Sequence, residues 1–397
     1  MKYQTIIHKV SAMAVFFMLV LALTACMILP PAPTPIPRGF VEELTFQSGQ
    51  FNVVGDLRLP IGSGPFPVVL FVHGSGSVDR TGSMSYLPIM ERMLKAGFAT
   101  FAWDKPGTGE STGELDESDP NLRHKRAQIL LDAIQLMKAR PEINPKRIGV
   151  WGASQAGYVI PIALTQTKDI AFVICVSCPG MSGTDQTGYQ AMAIGICQGV
   201  PKGKKAEEAR QLEELDQNRS YETYAQYLAY RGNMAALAAL VPVSLDNWPI
   251  ISEETWQANP IDNEDFWNPV TVFYQVNIPV LAIFGDKDRQ IDSLQAASAY
   301  RKALSEAGNP KSRVEVIPKA NHIILSSKNG CPDDDQKRLT RWFLWFAISH
   351  GYTSQEQVIK AITSDPYKPG LLTSTPFAAG YLNLMENWLG GLYSEGQ

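Results

Sequence analysis

The chain of 397 residues predicts an α/β fold: a mostly parallel, eight-stranded sheet flanked by helices, with a helical insertion before a late strand. Three observations carry this. Short apolar runs alternate with helical stretches from about residue 40 to 350, the pattern of a parallel sheet covered on both faces. The hexapeptide Gly152-Ala153-Ser154-Gln155-Ala156-Gly157 follows an apolar strand and opens a small-residue helix, which puts a serine on a sharp turn. With 45% hydrophobic and 19% charged residues, the chain has the apolar content for one large core.

The elements can be justified in order. Leu44 to Pro60 reads as an opening hairpin that turns at Gly49-Gln50. Val68 to Val72 is an unbroken apolar run, hence a strand buried on both faces. Further strands are predicted near Phe98, Ile148, Ala171, Val280 and Val314, which with the hairpin makes eight. Helical periodicity appears from Tyr86 to Lys95, Arg126 to Lys138, Asp292 to Ala307 and Gln336 to Ile348. The segment 181–274 is irregular, and its place before the strand at Val280 predicts a helical cap over the sheet edge. Tyr221, Tyr224, Tyr227 and Tyr230 recur there every third residue, followed by Trp248, Trp256 and Trp267. Such a stripe reads first as packing between cap and body, and the cap it builds would roof an apolar cleft. Residues 351–397 form a C-terminal extension whose amphipathic end, Tyr381 to Leu392, is predicted to dock on the body or on a membrane.

The turn at Ser154 needs a base and an acid, and their order along the chain identifies them. A serine at this kind of elbow is followed by its acid and then its histidine. Of the five histidines, His8 lies in the N-terminal segment and His73 precedes the serine. His124 opens a charged helix expected to be exposed, and His350 ends another near the C-terminus. His322 remains, on the loop after Arg313 to Ile317, where it can swing over the sheet edge. The acid falls in Gly285-Asp286-Lys287-Asp288, after the strand Pro279 to Phe284. Asp288 fits the G-x-x-D spacing, and Asp286 is the alternative, better suited to shaping the turn. An acid here accepts the imidazole N–H and stabilises the imidazolium as it forms. For developing negative charge, the candidate donors are the backbone amides of Gln155 and of Ser75 in His73-Gly74-Ser75-Gly76.

Taken together, these segments resemble an α/β-hydrolase of the serine carboxylesterase branch related to dienelactone hydrolases and serine aminopeptidases. The resemblance rests on His73-Gly-Ser-Gly with Asp79-Arg80, Asp104-Lys-Pro-Gly-Thr-Gly-Glu-Ser111, and the Ser154, Asp288 and His322 motifs. Relatives carry arginine where this chain has Pro106, and glycine where it has Ala156. The resemblance implies cleavage of small to medium acyl esters through an acyl-enzyme, with no cofactor or metal. A serine aminopeptidase or amidase, an acyltransferase, and a non-catalytic acyl-binding lipoprotein are the alternative readings.

The N-terminus is a separate matter. Lys2 and Lys9 flank an apolar stretch with no acid before Glu42, ending at Leu23-Thr24-Ala25-Cys26. This resembles a bacterial lipoprotein signal (residues 1–25), by which Cys26 becomes the lipidated N-terminus of an exported, membrane-anchored protein. The run from Val10 to Leu29 also has the length of an uncleaved anchor. Residues 26–39 then form a proline-rich tether, leaving a hydrolase core at 40–180 and 275–350. Loss of the two lysines moves the formal charge from −4 to −6, which argues against a nucleic-acid partner. Cys175 and Cys178 fall at C-x-x-C spacing inside an apolar strand pattern and read as core packing. Cys197 and Cys331 leave a disulfide open.

Overall fold

The alternation of apolar runs produces one sheet in the computed structural model, with strand order β1-β2-β4-β3-β5-β6-β7-β8. Residues 41–199, 207–208, 211, 223–240, 248–263, 265–332, 337, 340–341 and 377–393 are described. The hairpin β1 (Val41–Ser48) and β2 (Phe51–Arg58) pairs antiparallel around Gly49-Gln50, and Gly49 takes a positive φ of 54°. Only β2 meets the rest antiparallel, along β4 (Ala99–Trp103). From β4 onward every pairing is parallel, through β3 (Phe66–Val72), β5 (Ile143–Ala153), β6 (Phe172–Val176), β7 (Val280–Gly285) and β8 (Arg313–Ile317). Parallel strands place all their carboxyl ends at one edge, and loops on that edge are where such sheets carry chemistry.

Side chains alternate across the strands, so each face has its own helices. Val68, Leu70, Val150, Val173, Cys175 and Ala282 face a core closed by α2 (Leu122–Lys138), α3 (Ala156–Gln166) and α7 (Ser293–Ala307). Phe71 and Trp151 point the other way, against Tyr86 at the start of α1 (Leu87–Lys95). α2 begins four residues earlier than predicted and, with Lys125, Gln128 and Gln135 exposed, buries only its inner face. Its Arg126, Ala127, Ile129, Leu130, Ala133 and Ile134 are buried.

The C-terminal helix α8 (Tyr381–Leu392) docks on the body beside α1. Trp388 packs on Phe172 and its indole N–H donates to the Lys311 carbonyl at 2.8 Å, while Glu386 pairs with Arg92 and Lys95. Of the two docking surfaces left open for this piece, the body is the one it occupies.

The insertion contains α4 (Gly183–Gly199), α5 (Tyr224–Ala238) and the short α6 (Glu253–Ala258). A second, smaller apolar cluster lies between α4 and α5, built from Met181, Met192, Ile196, Tyr230, Met234, Leu237 and Trp248. Trp267 and the following 3-10 helix (Pro269–Gln275) depart from the expected cap. They pack into the body core beside α3 and α7, because Trp267, Val270 and Phe273 face that core. Tyr221, His350 and most of the predicted helix from Gln336 lie outside the described residues, as do residues 1–40 with Cys26. Among the described residues no helix is long and apolar enough to cross a membrane.

Candidate active site

The turn after β5 is built as the hexapeptide requires. Ser154 has φ 56°, a left-handed conformation that non-glycine residues hold only where surrounding structure imposes it. Its N–H is fixed by the Val176 carbonyl at 3.0 Å. The departure at Ala156 is absorbed nearby. A Cβ on Gly152 would lie 2.7 Å from the Ala156 methyl and 2.6 Å from Ile160 Cδ1, so the missing side chain makes room for the alanine. Gly157 then supplies the close approach of helix to sheet, since a Cβ there would meet Cys178 Cβ at 2.6 Å.

Two strands along the same edge, the other candidates meet. His322 Nδ1 donates to Asp288 Oδ2 at 2.8 Å, and both side chains are shielded, at 8% and 0% exposed. The second oxygen of Asp288 accepts the Gln290 and Ile291 N–H groups at 2.7 and 3.0 Å. The carboxylate is thus held from both ends, which leaves His322 Nε2 as the ring atom available to a substrate or nucleophile. Asp286 does other work: its Oδ1 accepts the Ala320 N–H, at the start of the histidine loop. Gly285 lets that loop close down, because a Cβ there would sit 2.4 Å from the Ala320 carbonyl.

The loop after β3 stands next to Ser154. A Cβ on Gly74 would lie 3.3 Å from Ser154 Cβ, so the chain passes within contact of the serine. Among the described residues, neither the Ser75 nor the Gln155 N–H has a hydrogen-bond acceptor. His73 is fully committed elsewhere. Its Nε2–H donates to the Trp103 carbonyl at 2.5 Å, and its Nδ1 accepts from the Tyr86 hydroxyl at 3.2 Å. Burial pushes its imidazole down to about 3, with the Arg126 and Lys105 charges adding to the effect, so it stays neutral.

Two residues at this site escape sequence reasoning. Arg126 donates to the His73 carbonyl and to Gln155 Oε1, linking both strand-end turns. Lys105 Nζ donates to the Gly74 and Gly76 carbonyls at 3.2 and 2.5 Å. Their sequence context, one in a charged helix and one in a turn, gives no sign of burial. Around the turn that carries Pro106, Arg80 bonds Asp104, Asp56, Glu43 and Glu110. Cys175 and Cys178 are buried, and among the described residues no group of acids, histidines and cysteines is placed to hold a metal ion.

Comparison with known proteins agrees with this architecture. Residues 69–332 match the alpha/beta hydrolase family. A thiohydrolase, aneE of Aspergillus aculeatus, is 30% identical over 149 residues, 36% of this chain and 44% of that protein. The esterase EstD of Thermotoga maritima is 22% identical over 308 residues, 73% of this chain and 63% of that protein. This chain spans less than half the length of the first curated relatives it matches. Among solved structures, an esterase of Pyrococcus furiosus aligns with a TM-score of 0.46 at 18% identity, covering 79% of this chain and 97% of that one. With the match extending from β3 to the residues just past His322, the chain belongs to the alpha/beta hydrolase family.

Proposed function

We propose that the protein is a serine hydrolase that cleaves carboxylic esters of small to medium acyl groups. The observation that carries this reading is the shielded Asp288–His322 hydrogen bond on the sheet edge that also presents Ser154. In the reaction, His322 Nε2 takes the Ser154 hydroxyl proton as Oγ attacks the ester carbonyl. The tetrahedral oxyanion rests on the Gln155 and Ser75 N–H groups, and His322 returns the proton to the leaving alcohol. Water repeats the cycle on the acyl-enzyme. Asp288 keeps Nδ1 protonated and offsets the imidazolium charge without itself taking a proton.

A fluorophosphonate probe followed by peptide mapping tests the nucleophile, and labelling at Ser154 is expected. A panel of nitrophenyl esters, acyl thioesters and aminoacyl anilides then sorts the substrate class. Thioesters are included because one relative bears the name thiohydrolase. Turnover of anilides above esters would replace the esterase reading by an aminopeptidase or amidase.

We also propose export and anchoring through a lipid on Cys26. The Cys197–Cys331 disulfide supports an oxidising compartment, since such bonds seldom persist in a reduced cytosol. Metabolic labelling with a fatty acid, lost in Cys26→Ser, is the expected result. An unlabelled wild-type chain that retains Met1 would favour the uncleaved anchor.

A further inference from the structure

The loop His73–Gly76 carries peptide groups on two sides, and its inner side is held by cations. A trans peptide points its C=O and N–H in opposite directions, so fixing one fixes the other. The His73–Gly74 unit illustrates this: its carbonyl accepts from Arg126, while the Gly74 N–H donates to the Tyr86 hydroxyl. The next unit, Gly74–Ser75, is also trans. Its carbonyl accepts from Lys105 Nζ at 3.2 Å, and the same ammonium binds the Gly76 carbonyl at 2.5 Å. With Gly74 O turned inward, the Ser75 N–H is turned outward, on the loop that passes within contact of Ser154.

We propose that Lys105 is a positioning residue for the reaction, holding and polarising the Gly74 carbonyl so that the Ser75 N–H is aimed at the oxyanion. The proposal rests on the serine-hydrolase reading of Ser154. A cation on the carbonyl oxygen draws electron density through the amide, which makes its N–H a stronger donor. Shielding lets the effect persist. The Lys105 side chain is 4% exposed, and the adjoining cavity, lined by His73, Trp103 and Arg126 among others, measures about 10 Å³. That is room for one water at most, so solvent screens the buried ammonium only weakly.

The arrangement also sets a pH dependence. Burial pushes the Lys105 ammonium down to about 8, with the Arg126 charge of α2 lowering it further and Glu117, at 3.5 Å, opposing. Of the remaining groups nearby, His73 stays neutral and Asp104 is occupied by Arg80. As pH rises through about 8, Lys105 loses its proton and the polarisation goes with it, while the loop keeps its contacts with Arg126 and the Tyr86 hydroxyl.

The test measures kcat and KM for nitrophenyl butyrate between pH 6 and 9.5 in the full chain, Lys105→Met and Lys105→Arg. Losing a single oxyanion donor typically lowers kcat by about a hundredfold or more. A misaimed donor in Lys105→Met is therefore expected to lower kcat by about 10- to 100-fold at pH 7, with KM little changed. The wild type is expected to lose kcat above pH 8. Lys105→Arg should hold its activity to higher pH, because a guanidinium stays charged there. A folded Lys105→Met with kcat within about twofold of wild type overturns the proposal; the reference is the hundredfold effect of one donor. Should that variant fail to fold in a thermal melt, the wild-type profile decides, and a flat kcat above pH 8 overturns it. Fluorophosphonate labelling separates the two levels. A labelled wild type with an unaffected Lys105→Met removes the role of Lys105 alone, whereas an unlabelled wild type removes the serine-hydrolase reading and this proposal with it.

Discussion

The body and the cap of this molecule are held together by different physics. The body has a large apolar layer of Val68, Leu70, Val150, Val173, Phe284 and their neighbours, and buried charges such as Arg126 and the Arg80–Asp104 pair serve the turns at its strand ends. The cap cluster is smaller and rich in Met, and against it lies a buried ion pair. Arg231 donates to Asp185 at 2.8 Å, to the Pro249 carbonyl at 2.9 Å and to the Trp248 carbonyl at 2.7 Å. Asp185 also accepts from the Ser182 hydroxyl at 2.7 Å and the Trp248 indole at 3.2 Å. Burial pushes the Asp185 carboxyl up, and these partners hold it back. Burial by area alone favours a large layer, so a thin layer draws more on directional bonds and covalent links. The lesson is that the apolar layer of the body tolerates changes that conserve volume, whereas the cap depends on each partner being present.

The largest expected effect lies at the edge both regions share. Ser154→Ala and His322→Ala should lower ester turnover by several orders of magnitude while the thermal melt barely moves, because the members act as a unit. Asp288→Asn should be far more impaired than Asp286→Asn, which disturbs a turn rather than the His322 hydrogen bond. Steady-state kinetics with a melt on each variant checks this, and an inactive Asp286→Asn beside an active Asp288→Asn would reverse the assignment.

Next comes the cap's ion pair. Arg231→Met leaves Asp185 buried without its cation and should cost about 3–5 kcal/mol, read by denaturant unfolding. Adding Asp185→Asn should recover part of that loss. A body control, Ile174→Val, should cost only about 0.5–1.5 kcal/mol. Equal losses in the two regions would break the comparison.

The covalent link is expected to matter somewhat less. Cys197 and Cys331 are 134 residues apart and join α4 to the segment just past His322. Removing a disulfide that closes so long a loop should cost about 2–5 kcal/mol. Cys197→Ser with Cys331→Ser, compared with wild type in and out of reductant, measures it. A double variant that melts like reduced wild type and unlike oxidised wild type confirms the link.

The smallest effect sharpens the boundary between cap and body. Asp292 caps α7, accepting the Gln295 N–H at 3.1 Å, and Tyr230 of the cap reaches its side chain. Burial pushes its carboxyl up to about 6, and the Asp288 charge adds to the rise. The sign follows from proton binding. Between about pH 4 and 6 the folded chain holds a proton that the unfolded chain releases, so stability falls as pH rises through that window. Asp292→Asn should therefore match wild type near pH 4 and gain about 1–3 kcal/mol on it above pH 6. Asparagine remains a good helix cap, so that contribution is kept. Melts at pH 4, 5, 6 and 7 that run parallel for the two proteins would remove the linkage.

Much of the body was legible in the sequence for a local reason. Strand runs such as Val68 to Val72 and turn residues such as Gly49 declare themselves within a few positions, because pleat and backbone conformation act over that range. Chain order, with the helix context of His350, was enough to single out His322 among five histidines. Where reading failed, the cause was an environment and not a pattern. Arg126 stands in a run of charges that looks solvated, yet α2 turns that face toward the loop after β3. Trp267 looks like one more cap aromatic, yet its neighbours Val270 and Phe273 carry it into the body.

The sequence by itself determined the sheet, the order of its strands' chemistry and the turn on which Ser154 stands. Those depend on side-chain period and on the absence of a Cβ at Gly152, both written residue by residue. Only the tertiary structure decided that Cys197 joins Cys331, that Arg231 answers Asp185, and that Lys105 lies behind the Gly74 carbonyl. Each of these is a distance between residues separated by some 30 to 134 positions along the chain. Burial, which sets the strength of every charge involved, exists only once the layers have closed over them.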